Sequence, residues 1–241
     1  MKRTLALLLI ITLALAAAAA QKSAASGEKT VEEAYLTETY EGKIIMEHAQ
    51  ADTKNMKQDA LIYIKEAIDG GRKGEDIYKA LDYLALDGTT IVIREGGVGR
   101  VKNNFPDVRA KACEYLGLLG TENAKQTLVK VVYAENEPMV ISSAIRALGT
   151  IGDNTGDQVS ETIAYVVNRY DVLQPDNTLA FEALVAIERI ADKNNGINDP
   201  GAIRMVMRIA DGNYITPVKT KAKEILSKLR KYSAQAASKS K

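Results

Sequence analysis

FPDVRAKACEYLGLLG (residues 105–120) and EPMVISSAIRALGTIG (residues 137–152) carry proline, valine, alanine, leucine, an aliphatic residue and glycine in one order at one spacing. The matching columns are Val108 with Val140, Ala112 with Ala144, Leu116 with Leu148 and Leu119 with Ile151. Steps of four, four and three residues bring all four side chains to one face of a helix, so both stretches read as amphipathic helices. The pattern returns as Leu179, Ala183, Ile187 and Ile190, and again as Val218, Ala222, Leu226 and Leu229. A weaker earlier copy is Met56, Ala60, Ile64 and Ala67. Chance produces one such match, but not a shared register in five segments, so the chain reads as an internal repeat.

The small residue at the second position of each copy is where a neighbouring helix is expected to come close. Further columns are mostly apolar: Leu61, Cys113, Ile145 and Leu184, and Tyr63, Tyr115, Ala147, Ala186 and Ile225. Pro106, Pro138 and Pro217 stand ahead of the periodic residues, where a missing N–H removes no helical bond. Gly120 and Gly152 close two copies as helix stops do. A second amphipathic segment follows each first one, over residues 77–86, 124–134, 158–170 and 202–210. Each unit is therefore a helix–turn–helix. The predicted fold is all-α, about four stacked helix pairs over residues 52–232. A polar segment with a capping helix is expected over 21–51, and a basic disordered tail over 233–241.

The P-D-V-R-x-x-A-x-x-x-L-G-x-x-G run of Pro106–Gly120 resembles the first helix of the HEAT-repeat family, one of the armadillo-type α-solenoids. Pro138–Gly152 follows it closely, with Ile141 in the place of Arg109. The two later copies keep the apolar columns and lose the glycine. The resemblance covers roughly residues 52–232. It implies an α-α superhelix with a concave recognition surface lined by the second helices, and no particular reaction.

One interruption breaks the period. Residues 88–104 (GTTIVIREGGVGRVKNN) lie between the first two copies. The β-branched run at 90–94, the turn signal Gly96-Gly97 and the return at 98–101 predict a short β-hairpin or an irregular loop. Such an insert serves as a projecting recognition element or as a spacer.

The N-terminus reads as a targeting segment. Lys2 and Arg3 precede an apolar run from Leu5 to Ala20, and Ala18-Ala19-Ala20 meets the small-x-small rule for cleavage before Gln21. The run is shorter than the ~20 residues a spanning helix needs. A cleavable signal peptide over residues 1–20, and export to a periplasm or the outside, is the expectation. With two Phe and no Trp, the core must be built from Ala, Leu, Ile and Val. Charge is uneven: residues 196–241 hold 10 basic and 3 acidic side chains, against 20 and 28 in residues 21–195.

The sequence shows no catalytic, cofactor or metal site. Cys113 is the lone cysteine, in an apolar helix column, and reads as a core residue. His48 is the lone histidine, which argues against multi-His metal centres and a Ser-His-Asp triad; it is expected to be exposed. Glu95–Arg100 is glycine-rich without the order of a phosphate loop. The Asx-rich stretches 192–199 and 153–157 lack the acids of a calcium loop and read as turns. Carboxylate pairs such as Glu32-Glu33 and Glu135/Glu137 read as solvated surface.

What remains is binding. Aligning the second helices by Leu128, Val131 and Val132, by Ile163, Val166 and Val167, and by Ile203, Val206 and Met207 leaves outward columns. These are Gln126, Glu161 and Gly201; Lys130, Tyr165 and Met205; and Tyr133, Asn168 and Arg208. Tyr and Arg on an outward face are enriched at protein interfaces. The candidate partner-binding residues are Lys130, Tyr133, Tyr165, Asn168, Arg204 and Arg208. The expected partner is a protein or peptide. The alternative is attachment of an anionic envelope component to the basic helix bearing Lys219, Lys221, Lys223, Lys228, Arg230 and Lys231. The acidic body and the export signal disfavour nucleic acid.

Overall fold

The computed structural model describes residues 31–171 and 175–239. The predicted signal segment, residues 1–20, lies outside the described residues. The chain divides into two compact units, Met1–Glu41 and Gly42–Lys241. The described part of the first is the opening of α1 (Val31–Gln50). The second holds the rest of α1 and then α2 (Lys54–Asp69), α3 (Glu75–Leu86), α4 (Pro106–Leu119), α5 (Glu122–Ala134) and α6 (Pro138–Ile151). It continues with α7 (Gln158–Tyr170), α8 (Asn177–Asn194), α9 (Pro200–Asp211) and α10 (Thr216–Lys239). The fold is all-α, with no β-strand among the described residues.

Helix ends follow local chemistry. Pro106, Pro138 and Pro200 open α4, α6 and α9. Thr121, Asp176 and Asp199 accept backbone N–H groups at the starts of α5, α8 and α9. Gly120 and Gly152 end α4 and α6 with φ of 68° and 65°, where a Cβ would be strained. α10 runs to Lys239, so residues 233–239 continue a helix where an irregular tail was expected. The physical reason is a stretch free of Gly and Pro and rich in alanine, the strongest helix former.

The helices form two layers, the arrangement of an α-α superhelix. The first helices α2, α4, α6, α8 and α10 pack in series, and the second helices α3, α5, α7 and α9 pack in a parallel series. Each second helix also packs against the first helix of the following unit. The repeated alanines Ala60, Ala112, Ala144, Ala183 and Ala222 are fully buried between the layers, as are Val140, Leu116, Leu148 and Ile187. Two residues of the weak first copy depart from the expectation: Met56 and Tyr63 are exposed. On that flank Tyr63 meets the His48 ring of α1, with centroids 5.6 Å apart.

The closest approach between neighbouring first helices falls on another column than the one expected. A Cβ on Gly117 would lie 2.9 Å from the Cβ of Ala147, and one on Gly149 would lie 2.7 Å from the Cα of Ala186. Glycine is required here because α4, α6 and α8 touch nearly backbone to backbone. In the next unit the column carries Glu188 and faces Ile225. Glu188 pairs with Lys221 at 2.7 Å and Lys228 at 3.4 Å, one turn to either side of Ile225. Two dry Gly–Ala joints are thus followed by a third joint edged with ion pairs, and α8 packs less extensively on α10 than on α6.

Residues 88–104 form no strands. One antiparallel bridge joins Arg94 and Val101, backed by bonds from Glu95 N to Arg100 O and from Lys102 N to Ile93 O. The chain reverses through a short 3-10 turn at Glu95–Gly97. A hairpin-like reversal is present, but the insert stands apart from any sheet, and a lone two-stranded ribbon is marginal in water.

Gly149→Ala tests the joint. In an open helix this change stabilises by ~1 kcal/mol through propensity. Here the added methyl meets backbone, and overpacking costs ~1–3 kcal/mol. Thermal unfolding of Gly149→Ala should show a lowered Tm. A raised Tm would mean that the helices are not in backbone contact.

Candidate interaction surface

The second helices present a ridge whose anchors lie side by side. Tyr133 on α5 and Tyr165 on α7 are 48% and 49% exposed, and their rings pack with centroids 5.1 Å apart. Arg208 on α9 donates to Asn168 Oδ1 at 3.2 Å and pairs with Asp171 at 2.9 Å. Lys130 and Arg204 are exposed on α5 and α9. Tyr133 and Tyr165 are thus in ring contact across one unit boundary, and Asn168 and Arg208 are hydrogen-bonded across the next.

The register assigned to α9 needs correction. Met205, expected to point outward, is buried, and Met207, expected in the core, is 43% exposed. The buried set of α9 is Ala202, Met205, Val206, Ile209 and Ala210. It superposes on Ala124, Thr127, Leu128, Val131 and Val132 of α5, and on Val159, Thr162, Ile163, Val166 and Val167 of α7. Thr127 and Thr162 occupy a core column, which made that column look polar and misled the alignment. With the corrected register Arg204 stands with Gln126 and Glu161, and Arg208 stands with Lys130 and Tyr165. Both arginines remain on the outward face.

Beneath this ridge lies a feature that periodicity did not reveal. Lys57 and Arg109 share one column of the first helices, and both are buried. The same column holds the buried Ile141 and Ala180, which marks it as inward-facing. Each cation meets the acid that ends the second helix of its own unit. Lys57 Nζ lies 2.9 Å from Asp87 and donates to Ala49 O at 2.8 Å. Arg109 Nε donates to Glu135 Oε2 at 2.6 Å, and its Nη1 reaches Asn104 Oδ1 and Asp87 O. Glu135, expected as solvated surface, is therefore buried, because this guanidinium pairs with it at the end of α5. Asn103, also buried, donates to Asp87 Oδ1 and Ile91 O and accepts from Ile93 N. These contacts tie both ends of the 88–104 insert into the stack. The third unit has Ile141 in place of the cation, and its corresponding acid, Asp171, accepts from Tyr214 and Arg208 instead.

A second pair joins the units at their other end. Lys125, buried on α5, pairs with Glu122 at 2.8 Å and with Asp153 in the loop after α6. The Lys125 ammonium, helped by Thr155, holds the Asp153 carboxyl down at about 2, against an ordinary 3.8. Stability from this shift is present above the ordinary value and is lost as pH falls through the folded one.

The other expected features resolve as follows. Among the described residues, no group of three or more His, Cys, Asp or Glu is placed to hold a metal ion. In the stretch 192–199, Asp192 accepts from Tyr232 and pairs with Lys228, while Asp199 caps α9. Cys113 is fully buried, and that burial pushes its thiol well above the usual range. His48, expected to be exposed, is instead partly buried, its ring 5.6 Å from that of Tyr63. On the basic helix α10, Lys221 and Lys228 are engaged with Glu188 and Asp192, and Lys219 donates to Gly212 O. Lys223, Arg230 and Lys231 are exposed.

Paired helices in two layers, with a continuous outward ridge, define a helical-repeat protein. Residues 100–171, which take in α4 to α7, match the family model described as HEAT repeats, and the all-helical fold is consistent with a solenoid of that type. Repeats of this kind typically mediate protein interactions. Among curated proteins, none matches the chain.

Two predictions follow from the buried pairs. Arg109→Met strands the Glu135 carboxylate and should cost ~3–5 kcal/mol, read by urea denaturation; a change under about 1 kcal/mol would show that the pair is dispensable. For Asp153→Asn, the Tm deficit against the parent chain should be full at pH 6 and vanish as pH falls from about 4 to about 2. A pH-independent deficit would exclude the Lys125 pairing as its source.

Proposed function

We propose that this chain is an exported, non-catalytic scaffold that takes a protein or peptide partner along its second-helix ridge. The observation that carries the reading is the Tyr133–Tyr165 pair, half exposed and stacked across a unit boundary. Tyrosine supplies large contact area at low entropic cost, and such residues are frequent binding anchors. Lys130, Asn168, Arg204 and Arg208 supply polar contacts around it. HEAT repeats as a class support a binding role. Export rests on Lys2, Arg3, the apolar run to Ala20 and the alanine cleavage motif, and places the scaffold in a periplasm or outside the cell. N-terminal sequencing of the secreted chain should begin at Gln21; a start at Met1 would refute cleavage.

Attachment of an anionic envelope component to α10 is the weaker reading, because two of its six cations are engaged with Glu188 and Asp192.

The test is an affinity pull-down from the envelope fraction with residues 21–241 as bait, repeated with Tyr133→Ala/Tyr165→Ala. A hot-spot tyrosine is worth ~2 kcal/mol, about thirtyfold in affinity. Partners held by the parent chain and lost by the variant, at unchanged helical circular dichroism, are the expected result. Full capture by the double variant would remove the ridge as the site.

A further inference from the structure

The 88–104 insert combines two properties that a spacer has no use for. Its base is fastened by buried polar contacts: Asn103 bonds Asp87 and the backbone at Ile91 and Ile93, and Arg109 reaches Asn104 and Asp87 O. Its tip is open: every residue from 92 to 100 is exposed, and Val98 is 92% exposed, more than any other large apolar side chain described. Val92 and Ile93, nearer the base of the insert, are about two-fifths exposed. The presentation is built in, because the reversal needs positive φ at Gly96 (59°) and Gly97 (83°), and a Cβ on Gly99 would meet Glu95 O at 2.5 Å.

The charge around the tip is distinct from that of the body. The insert carries Arg94, Arg100 and Lys102 against the single acid Glu95, whereas residues 21–195 as a whole hold 20 basic and 28 acidic side chains. Arg94 folds over the turn, donating to Gly99 O at 3.2 Å. An outward apolar tip within a collar of cations has no groove to receive a small ligand or an extended peptide. It does match a flat surface that is anionic outside and apolar beneath.

We propose that the insert is a contact element for an anionic lipid surface, in which Val98, with Val92 and Ile93, enters the interface while Arg94, Arg100 and Lys102 meet the headgroups. Binding to such a surface scales with buried apolar area plus attraction to anionic lipid. The element is separate from the ridge, so the scaffold reading and this one stand or fall independently. Two functions on two faces would let the protein hold a partner at a membrane.

The experiment is co-sedimentation of residues 21–241 with phosphatidylcholine vesicles, with and without phosphatidylglycerol. Binding should require the anionic lipid and weaken with added salt. Each basic residue at such a surface contributes about fivefold. Arg94→Glu/Arg100→Glu should therefore lower the partition at least about 25-fold, and Val98→Asp, which removes the apolar tip and adds an acid there, should also lower it. Both sites are exposed, so helical circular dichroism should not change, and Lys223→Glu/Arg230→Glu on α10 should bind as the parent chain does. Binding indifferent to phosphatidylglycerol, binding unaffected by either tip variant, or binding abolished by the α10 variant would each overturn the proposal. The same holds if the tip proves to dock on a protein, seen as loss of a pull-down partner in Val98→Asp with no vesicle binding by the parent chain.

Discussion

At Gly117 and Gly149 there is no room for a β-carbon, and the stacking of α4, α6 and α8 follows from that. Because α4, α6 and α8 approach nearly to backbone contact, their angle and register are set by main-chain shape rather than by adaptable side chains. Dense packing of this kind transmits position from unit to unit, so the second helices inherit a defined spacing. That spacing lets Tyr133 and Tyr165 reach ring contact across a unit boundary. Where the glycine gives way to Glu188, the contact is partly handed to ion pairs with Lys221 and Lys228. The C-terminal lysines that look like a charged surface in the sequence are in part the fasteners of the last helix.

The buried cations show how the stack admits an interruption without losing order. An acid at a helix C-terminus opposes the helix dipole, yet Asp87 and Glu135 both stand there. Lys57 and Arg109, reaching across from the first helices, offset that by pairing with the buried acids. Such pairs contribute little net stability against an apolar alternative, but breaking one is costly. Their use is positional: Asp87 also receives Asn103, and so the insert leaves and re-enters the stack at fixed points. The third unit replaces the cation by Ile141 and carries no insert, which fits this role.

The stacked helix pairs thus serve as a frame with two different outward features. The ridge is rigid because it rides on packed helices. The insert is rigid at its base and open at its tip.

The apolar period, with proline and glycine, determined that this chain is helical, where α4 and α6 start and stop, and which alanines lie in the core. Proline, glycine and the four-four-three spacing act through neighbours in sequence, so they are legible there. The outward placement of Tyr133, Tyr165 and Arg208 was legible for the same reason. The register of α9 was not, because Thr127 and Thr162 are polar residues in a buried column and Met207 is an apolar one outside it. The burial of Lys57 and Arg109 had one visible clue, the isoleucine and alanine that share their column. Tertiary structure alone decided that Gly117 and Gly149, rather than Ala112 and Ala144, mark the closest approach, since that depends on how two helices cross. It also decided that the insert forms isolated bridges rather than strands, because the contacts that hold it come from buried groups distant in sequence.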